Sequence, residues 1–234
     1  NNLLKKRFFS IILTIAVALS MMPTMAWADE TETTMVAKNS INNKEYATLQ
    51  AAINDATNNA TIQLMQNVKE SFTIESGNDY TIDLNGHTWS GDEDVLQIMQ
   101  QSVITLKNGK LVSNTGRGIY VISGTVKLEN MLVKGGNITP AIELYISSYS
   151  FLEISDDTFL IGGLKVPTSK TLADYLPSGK TFVTCTYNET TGEATANSTD
   201  FVTTAYTLNE YTGNLALVSH EHQFTDGKCD CLAR

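Results

Sequence analysis

Four residues near the C-terminus have the types and spacing of a metal site. His220, His222, Cys229 and Cys231 form H-x-H-x6-C-x-C within "HEHQFTDGKCDCLAR". Two imidazoles and two thiolates are the donors a tetrahedral zinc ion takes, although C-x-C is tighter than the usual C-x2-C. Without a metal, residues 220–234 read as an exposed tail with a disulfide or free thiols. A second chemistry, cleavage of a sugar chain, needs paired carboxylates as general acid and base, or a carboxylate cluster with a basic partner. The candidates are Asp92-Glu93-Asp94, Asp156-Asp157, the single repeat arginine Arg117 in "TGRG", and His87 beside a turn. The two acidic runs fall about three repeat units apart, ~14 Å at the usual strand spacing, too far to act as one pair. Arg117 has no evident carboxylate at the matching repeat position. The acidic runs therefore read as solvated turns, and His87 as a surface residue.

The elements that must position these groups repeat. "YTIDLNGHTWSG", "VITLKNGKLVSN" and "GTVKLENMLVKG" share an alternating apolar strand that stops near an asparagine. The alignment pairs Ile82 and Leu84 with Ile104 and Leu106, then with Val126 and Leu128, then with Leu152 and Ile154. A second strand series, "VLQIM", "GIYVI" and "AIELY", recurs with a similar period through Leu96, Ile119 and Ile142. A fixed period of this length means a stacked architecture. The units have room for two or three short strands and none for a helix, which disfavours a leucine-rich horseshoe, and they are too short for propeller blades. A coil making one turn per unit, with parallel strands stacked rung on rung, fits both series. Asn85, Asn108 and Asn130 recur just after the first strand. Asparagine tolerates left-handed backbone and can hydrogen-bond along a stack, so these three are expected to form a structural ladder at one corner.

The ends differ from the middle. Lys5, Lys6 and Arg7, an apolar run from Phe8 to Met22, and Ala26-Trp27-Ala28 have the form of a secretory signal, assigned to residues 1–28. The run is shorter than the ~20 apolar residues that span a bilayer, so no membrane span is expected after cleavage. Residues 29–44 are assigned to a flexible linker, 45–68 to a capping helix and first strand, and 69–163 to the rungs. Residues 164–219 are assigned to a C-terminal cap and β extension. Within 45–68, Leu49, Ala52, Ile53 and Ala56 lie at helical spacing with Thr48 as N-cap. Within 164–219, Leu172, Tyr175 and Leu176 lie on one face of a short helix. Two stretches beginning at Phe182 and Phe201 read as strands, with Cys185 a buried thiol. A net charge of −9 with scattered Lys and Arg offers no basic patch for a phosphate backbone, so nucleic acid is not an expected partner.

"ATLQAAINDA…ATIQLMQNV" followed by such rungs resembles pectin-lyase-like right-handed parallel β-helix proteins. It is similar, more narrowly, to secreted and surface β-helix proteins of Gram-positive gut bacteria, which also carry segments like "ADYLPSGKTF" and the "H-x-H-x-F…G-K-C" tail. The resemblance covers residues 45 to 163. It implies an all-β, right-handed parallel β-helix of four to five rungs, with a short N-terminal helix and a small C-terminal β appendage. For function it implies a secreted, non-catalytic module at the cell surface or in the medium. Such a module binds extracellular glycans or surface proteins, or acts as a spacer, with no cofactor beyond the zinc considered above. The alternative is a small polysaccharide lyase or glycoside hydrolase, or a degenerate remnant of one. Charged side chains from three neighbouring rungs converging on one face would favour the enzyme.

Overall fold

The chain is described by a computed structural model covering residues 34–145, 148–155 and 157–220, plus the strands Phe224–Thr225 and Lys228–Cys229. The expected signal segment, residues 1–28, lies outside the described residues.

The fold is an all-β solenoid of about four turns with parallel strand pairing between rungs. Strict in–out alternation makes it so, because each rung presents every second side chain to the lumen above its equivalent one turn earlier. Several register columns fill that lumen, four of them as follows. Ile62, Ile82, Leu106, Leu128 and Ile154 stack in one. Tyr80, Ile104, Val126 and Leu152 form a second. Val68, Trp89, Leu111, Val133 and Leu160 form a third. Phe72, Leu96, Ile119, Ile142 and Leu164 form the fourth, on a separate sheet. All these residues are buried, and Trp89 stacks on Phe72 at 5.0 Å.

The second strand series matches its sequence alignment residue for residue, whereas the first is displaced in one rung. Ile82 pairs with Leu106, and Tyr80 with Ile104, so the alignment of Ile82 with Ile104 is off by two residues. The cause is the corner. Asp83 faces Lys107 and Thr88 faces Lys110, so Leu84-Asn85-Gly86-His87 turns where Asn108-Gly109 suffices in the next rung. A shift of two preserves the side-chain face, and the inward residues stay inward.

Both ends of the stack switch from parallel to antiparallel pairing. At the start, Ala37–Asn39 lies between Thr61–Leu64 and Glu45–Tyr46, antiparallel to both. Residues 34–44 of the expected linker are therefore part of the cap, with Ala37 and Asn39 buried, and 29–33 lie outside the described residues. Helix Leu49–Asn54 follows. Thr48 Oγ1 accepts from Ala51 N–H, and Leu49, Ala52 and Ile53 are buried. Only six residues long, it cannot persist alone. The carboxylate of Glu70 reaches over from the rung and accepts from Leu49 and Gln50 N–H at 2.7 and 3.0 Å, so a negative charge meets the positive helix end.

At the far end, Leu215–Ser219 pairs antiparallel with Phe159–Ile161, and Glu210–Tyr211 with Leu164–Lys165. The hairpin of Lys180–Asn188 and Glu193–Phe201 extends the first of these edges. It covers a small second cluster of Leu132, Ile161, Val183, Cys185 and Ala216. The short helix expected after Pro167 is a 3-10 turn, Leu172–Tyr175. The stretch beginning at Phe201 was expected to hold strands with polar turns. Thr203–Tyr206 is a 3-10 turn that carries Ala205 into the core.

Candidate functional site

The second sheet stacks Gln97, Tyr120, Glu143 and Lys165 on its outer surface, in register across four rungs. Beside it runs the corner that precedes each strand. There "TGRG" has a steric reason. A Cβ on Gly116 would meet Asp94 N at 2.4 Å, and one on Gly118 would meet Ala141 O at 2.7 Å. The chain passes so close to both neighbouring rungs that only Arg117, between the glycines, carries a side chain outward.

Arg117 joins three rungs. Its backbone N–H and Nε donate to Asp94 Oδ1 at 2.7 and 3.1 Å, and its Nη2 lies 2.5 Å from Asp94 Oδ2. Nη1 donates to Glu143 Oε2 at 3.0 Å, and Lys165 Nζ lies 3.2 Å from Glu143 Oε1. The result is an alternating ladder, Asp94, Arg117, Glu143, Lys165, with one charge from each of four rungs. This corrects the expectation that Arg117 lacks a matched carboxylate. The signal was present in the sequence: Asp94 and Arg117 each stand two residues before the first inward residue of their strands, Leu96 and Ile119.

The electrostatics follow from this pairing. Burial opposes ionisation of Asp94, but the hydrogen bonds and charge of Arg117 win and hold its carboxyl below the ordinary value. Burial likewise works against Arg117, and Asp94 and Glu143 overcome it, raising the guanidinium further above its usual range. The guanidinium also stacks on Tyr120, with Cζ 3.5 Å from the ring centroid. Tyr145, from the next rung, meets the Tyr120 ring edge-on at 5.9 Å and is 55% exposed. A cation therefore braces one tyrosine, which in turn orients a second whose ring faces water.

The other sequence candidates lie elsewhere. Asp92 binds Lys69 at 2.9 Å and Asn114 at 2.7 Å, away from Arg117. Asp156 lies outside the described residues, and Asp157 sits at the asparagine corner, on another edge of the coil. His87 belongs to that corner too, its N–H donating to Leu84 O and its carbonyl accepting from Lys110 N–H. Asn85, Asn108 and Asn130 all adopt left-handed backbone, with φ of 50°, 59° and 53°. Asn130 Nδ2 donates to Asn108 Oδ1 at 3.4 Å, and Asn108 Nδ2 donates to Asp83 Oδ1 at 3.1 Å. Asn85 Nδ2 donates instead to Leu64 O, so the longer corner diverts the side-chain chain at that point. Asp157, with φ 58°, takes the same conformation one rung beyond Asn130. A groove of about 330 Å³ lies between this corner and the hairpin, crossed by the Lys110–Glu193 pair at 2.6 Å.

Of the four proposed zinc ligands, His222 and Cys231 lie outside the described residues. Cys229 is in a short strand paired with Phe224–Thr225. The His220 ring meets Phe201 edge-on at 4.9 Å. Among the described residues, no three His, Cys, Asp or Glu side chains form a group that could hold a metal ion. Cys185 is a buried free thiol, pushed by burial up to about 11. Among the described residues, no helix is long and apolar enough to cross a membrane.

Comparison with protein families, curated proteins and solved structures finds no match for this chain.

Proposed function

We propose that this chain is a secreted, non-catalytic β-helix module that binds glycan on the face formed by Tyr120, Tyr145, Gln97 and Glu143. The observation that carries the reading is the exposed Tyr145 ring held edge-on by Tyr120, with hydrogen-bonding groups in the same stack. The electron-rich face of an aromatic ring attracts the partly positive C–H face of a sugar, and neighbouring amide and carboxylate groups orient the hydroxyls. The likeness of residues 45 to 163 to pectin-lyase-like and gut-bacterial surface proteins supports the same class, as does the signal-like N-terminus for secretion.

One observation favours the enzyme alternative: charges from four rungs converge on one face. Their pairing weighs against it. A general acid needs a raised pKa, whereas the Asp94 carboxyl is lowered. Asp94 and Glu143 both bind the one guanidinium, which stands between them where a scissile bond would lie. The test is affinity electrophoresis of the purified chain against a polysaccharide panel, with Tyr145→Ala as the variant. Retarded migration in wild type, lost in a normally folded Tyr145→Ala chain, is expected. Migration unaffected by every polysaccharide would sink the reading, and release of reducing ends or unsaturated sugars would install the alternative.

A further inference from the structure

We infer that the glycan taken by this face is uncharged, and that acidic, uronate-bearing chains are excluded. This rests on the proposed reading and names the ligand class of the same site. The cations of this face are already paired with carboxylates. A carboxylate ligand is recognised by a guanidinium fork or an ammonium with donors to spare. Here the guanidinium is already paired. Nε and Nη2 of Arg117 bind Asp94, and Nη1 binds Glu143, so two carboxylates share its one positive charge. The remaining cation of the stack, Lys165, is held by the other oxygen of Glu143. A uronate would have to displace a carboxylate that is already half-buried in good geometry. The surroundings add repulsion. The next outward residue beyond Lys165 is Glu210, and Glu93 precedes Asp94 on the same corner. The whole chain carries a net charge of −9. A polyanion approaching this face meets a field of its own sign.

A neutral sugar meets no such barrier. Its ring C–H face can lie on Tyr145. Its hydroxyls can donate to the outer lone pairs of Glu143 and exchange hydrogen bonds with the Gln97 amide, without breaking an ion pair.

The experiment compares the wild-type chain with neutral polysaccharides (a β-glucan, a galactan and an arabinoxylan) and with polygalacturonate, by affinity electrophoresis and calorimetry at low and high salt. Binding to at least one neutral chain is expected, insensitive to salt, with polygalacturonate weaker by on the order of tenfold or more. Polygalacturonate bound as tightly as the neutral chains, or more tightly at low salt, overturns the inference while leaving a glycan site in place. No binding to any of them overturns both. Glu143→Gln adds a gain-of-binding arm. By removing the negative charge shared by Arg117 and Lys165 it should create affinity for polygalacturonate that falls with added salt, in a chain whose circular dichroism matches wild type. A folded Glu143→Gln chain that still ignores polygalacturonate shows that the pairing of these cations is not what excludes the anion.

Discussion

Arg117 is the residue on which most interactions of the outer face converge. Removing it leaves Asp94 and Glu143, with side chains 16% and 18% exposed, without the cation between them. Arg117→Ala should cost about 1–3 kcal/mol, the range for partly buried charge pairs broken on one side, read as a lower midpoint in urea. Its pH dependence is a sharper signature. A carboxyl whose folded pKa lies below its unfolded value adds stability that is fully present above the unfolded value, near 3.8, and is lost as pH falls through the folded one. Acid titration of wild type should therefore show a loss beginning below about pH 4. The Arg117→Ala chain should show a smaller loss there, because Asp94 no longer has a depressed value to give up. Identical acid limbs for the two chains would contradict the pairing. Inside the lumen, the Tyr80 hydroxyl is buried and interacts with the Ser76 side chain without making a hydrogen bond of good geometry. Tyr80→Phe removes a desolvated donor from an intact column, so the urea midpoint should hold or rise, by up to about 1 kcal/mol. The corner asparagines were legible as residues, since a left-handed turn and a short polar side chain go together. Asp157 was not, because it interrupts the run of asparagines and was weighed as half of an acidic pair. Arg117 was misjudged for a related reason. Asp94 holds the matching position in the correctly aligned second series but was weighed with the acidic run, and its other partner, Glu143, lies off that position in the next rung.

Elements in this fold are stable only where another element satisfies their ends. The clearest case is Leu49–Asn54, with a buried face and two of its first N–H groups held by the Glu70 carboxylate. Trp89 Nε1 donates to the carbonyl of the same Glu70 at 2.9 Å, which ties that residue to the first full rung. Glu70→Ala should destabilise the chain by about 1–2 kcal/mol and raise amide exchange across 49–54 before the rest of the solenoid opens. Exchange rising uniformly over the whole chain would show that the cap and rungs open as one unit. The helix and its Thr48 cap were readable from apolar spacing alone. Glu70 was not, because it lies a rung away and nothing local marks it as a cap. The strand Ala37–Asn39 was missed on similar grounds. It is three residues long, its polar flanks look like linker, and only pairing with Thr61–Leu64 gives it a reason to be extended. The second strand series aligned correctly because its rungs have near-equal corners. The first slipped by two where one corner is longer.

As a whole, the molecule is a stack whose free energy resides in contacts between neighbours, closed at both ends by a change of strand direction. The long outer edge, Glu193–Phe201, carries the polar sequence "EATANSTDF", which discourages pairing with another chain. Among the shorter edges are Glu45–Tyr46, Phe72–Ile74 and Glu210–Tyr211, two, three and two residues long. If interactions are only between adjacent rungs, one rung should be removable. Ser102 and Gly124 are register equivalents, so deleting residues 102–123 joins Gln101 to Gly124 with each strand meeting a partner of the same face. The shortened chain should remain folded, with a single cooperative transition at a lower midpoint. Its acid limb should also flatten. The deletion takes out Arg117 and brings the Asp94 rung directly against the Glu143 rung, where Gln97 is the residue that stacks on Glu143. Asp94 then lacks the guanidinium that holds its folded pKa below the unfolded one, so less stability is lost as pH falls through that value. Below about pH 4 the deletion chain should lose less stability than wild type. An unfolded deletion chain would mean that the rungs are not the independent units this fold is built from. A folded chain with the wild-type acid limb would mean that Arg117 is not what lowers the Asp94 carboxyl.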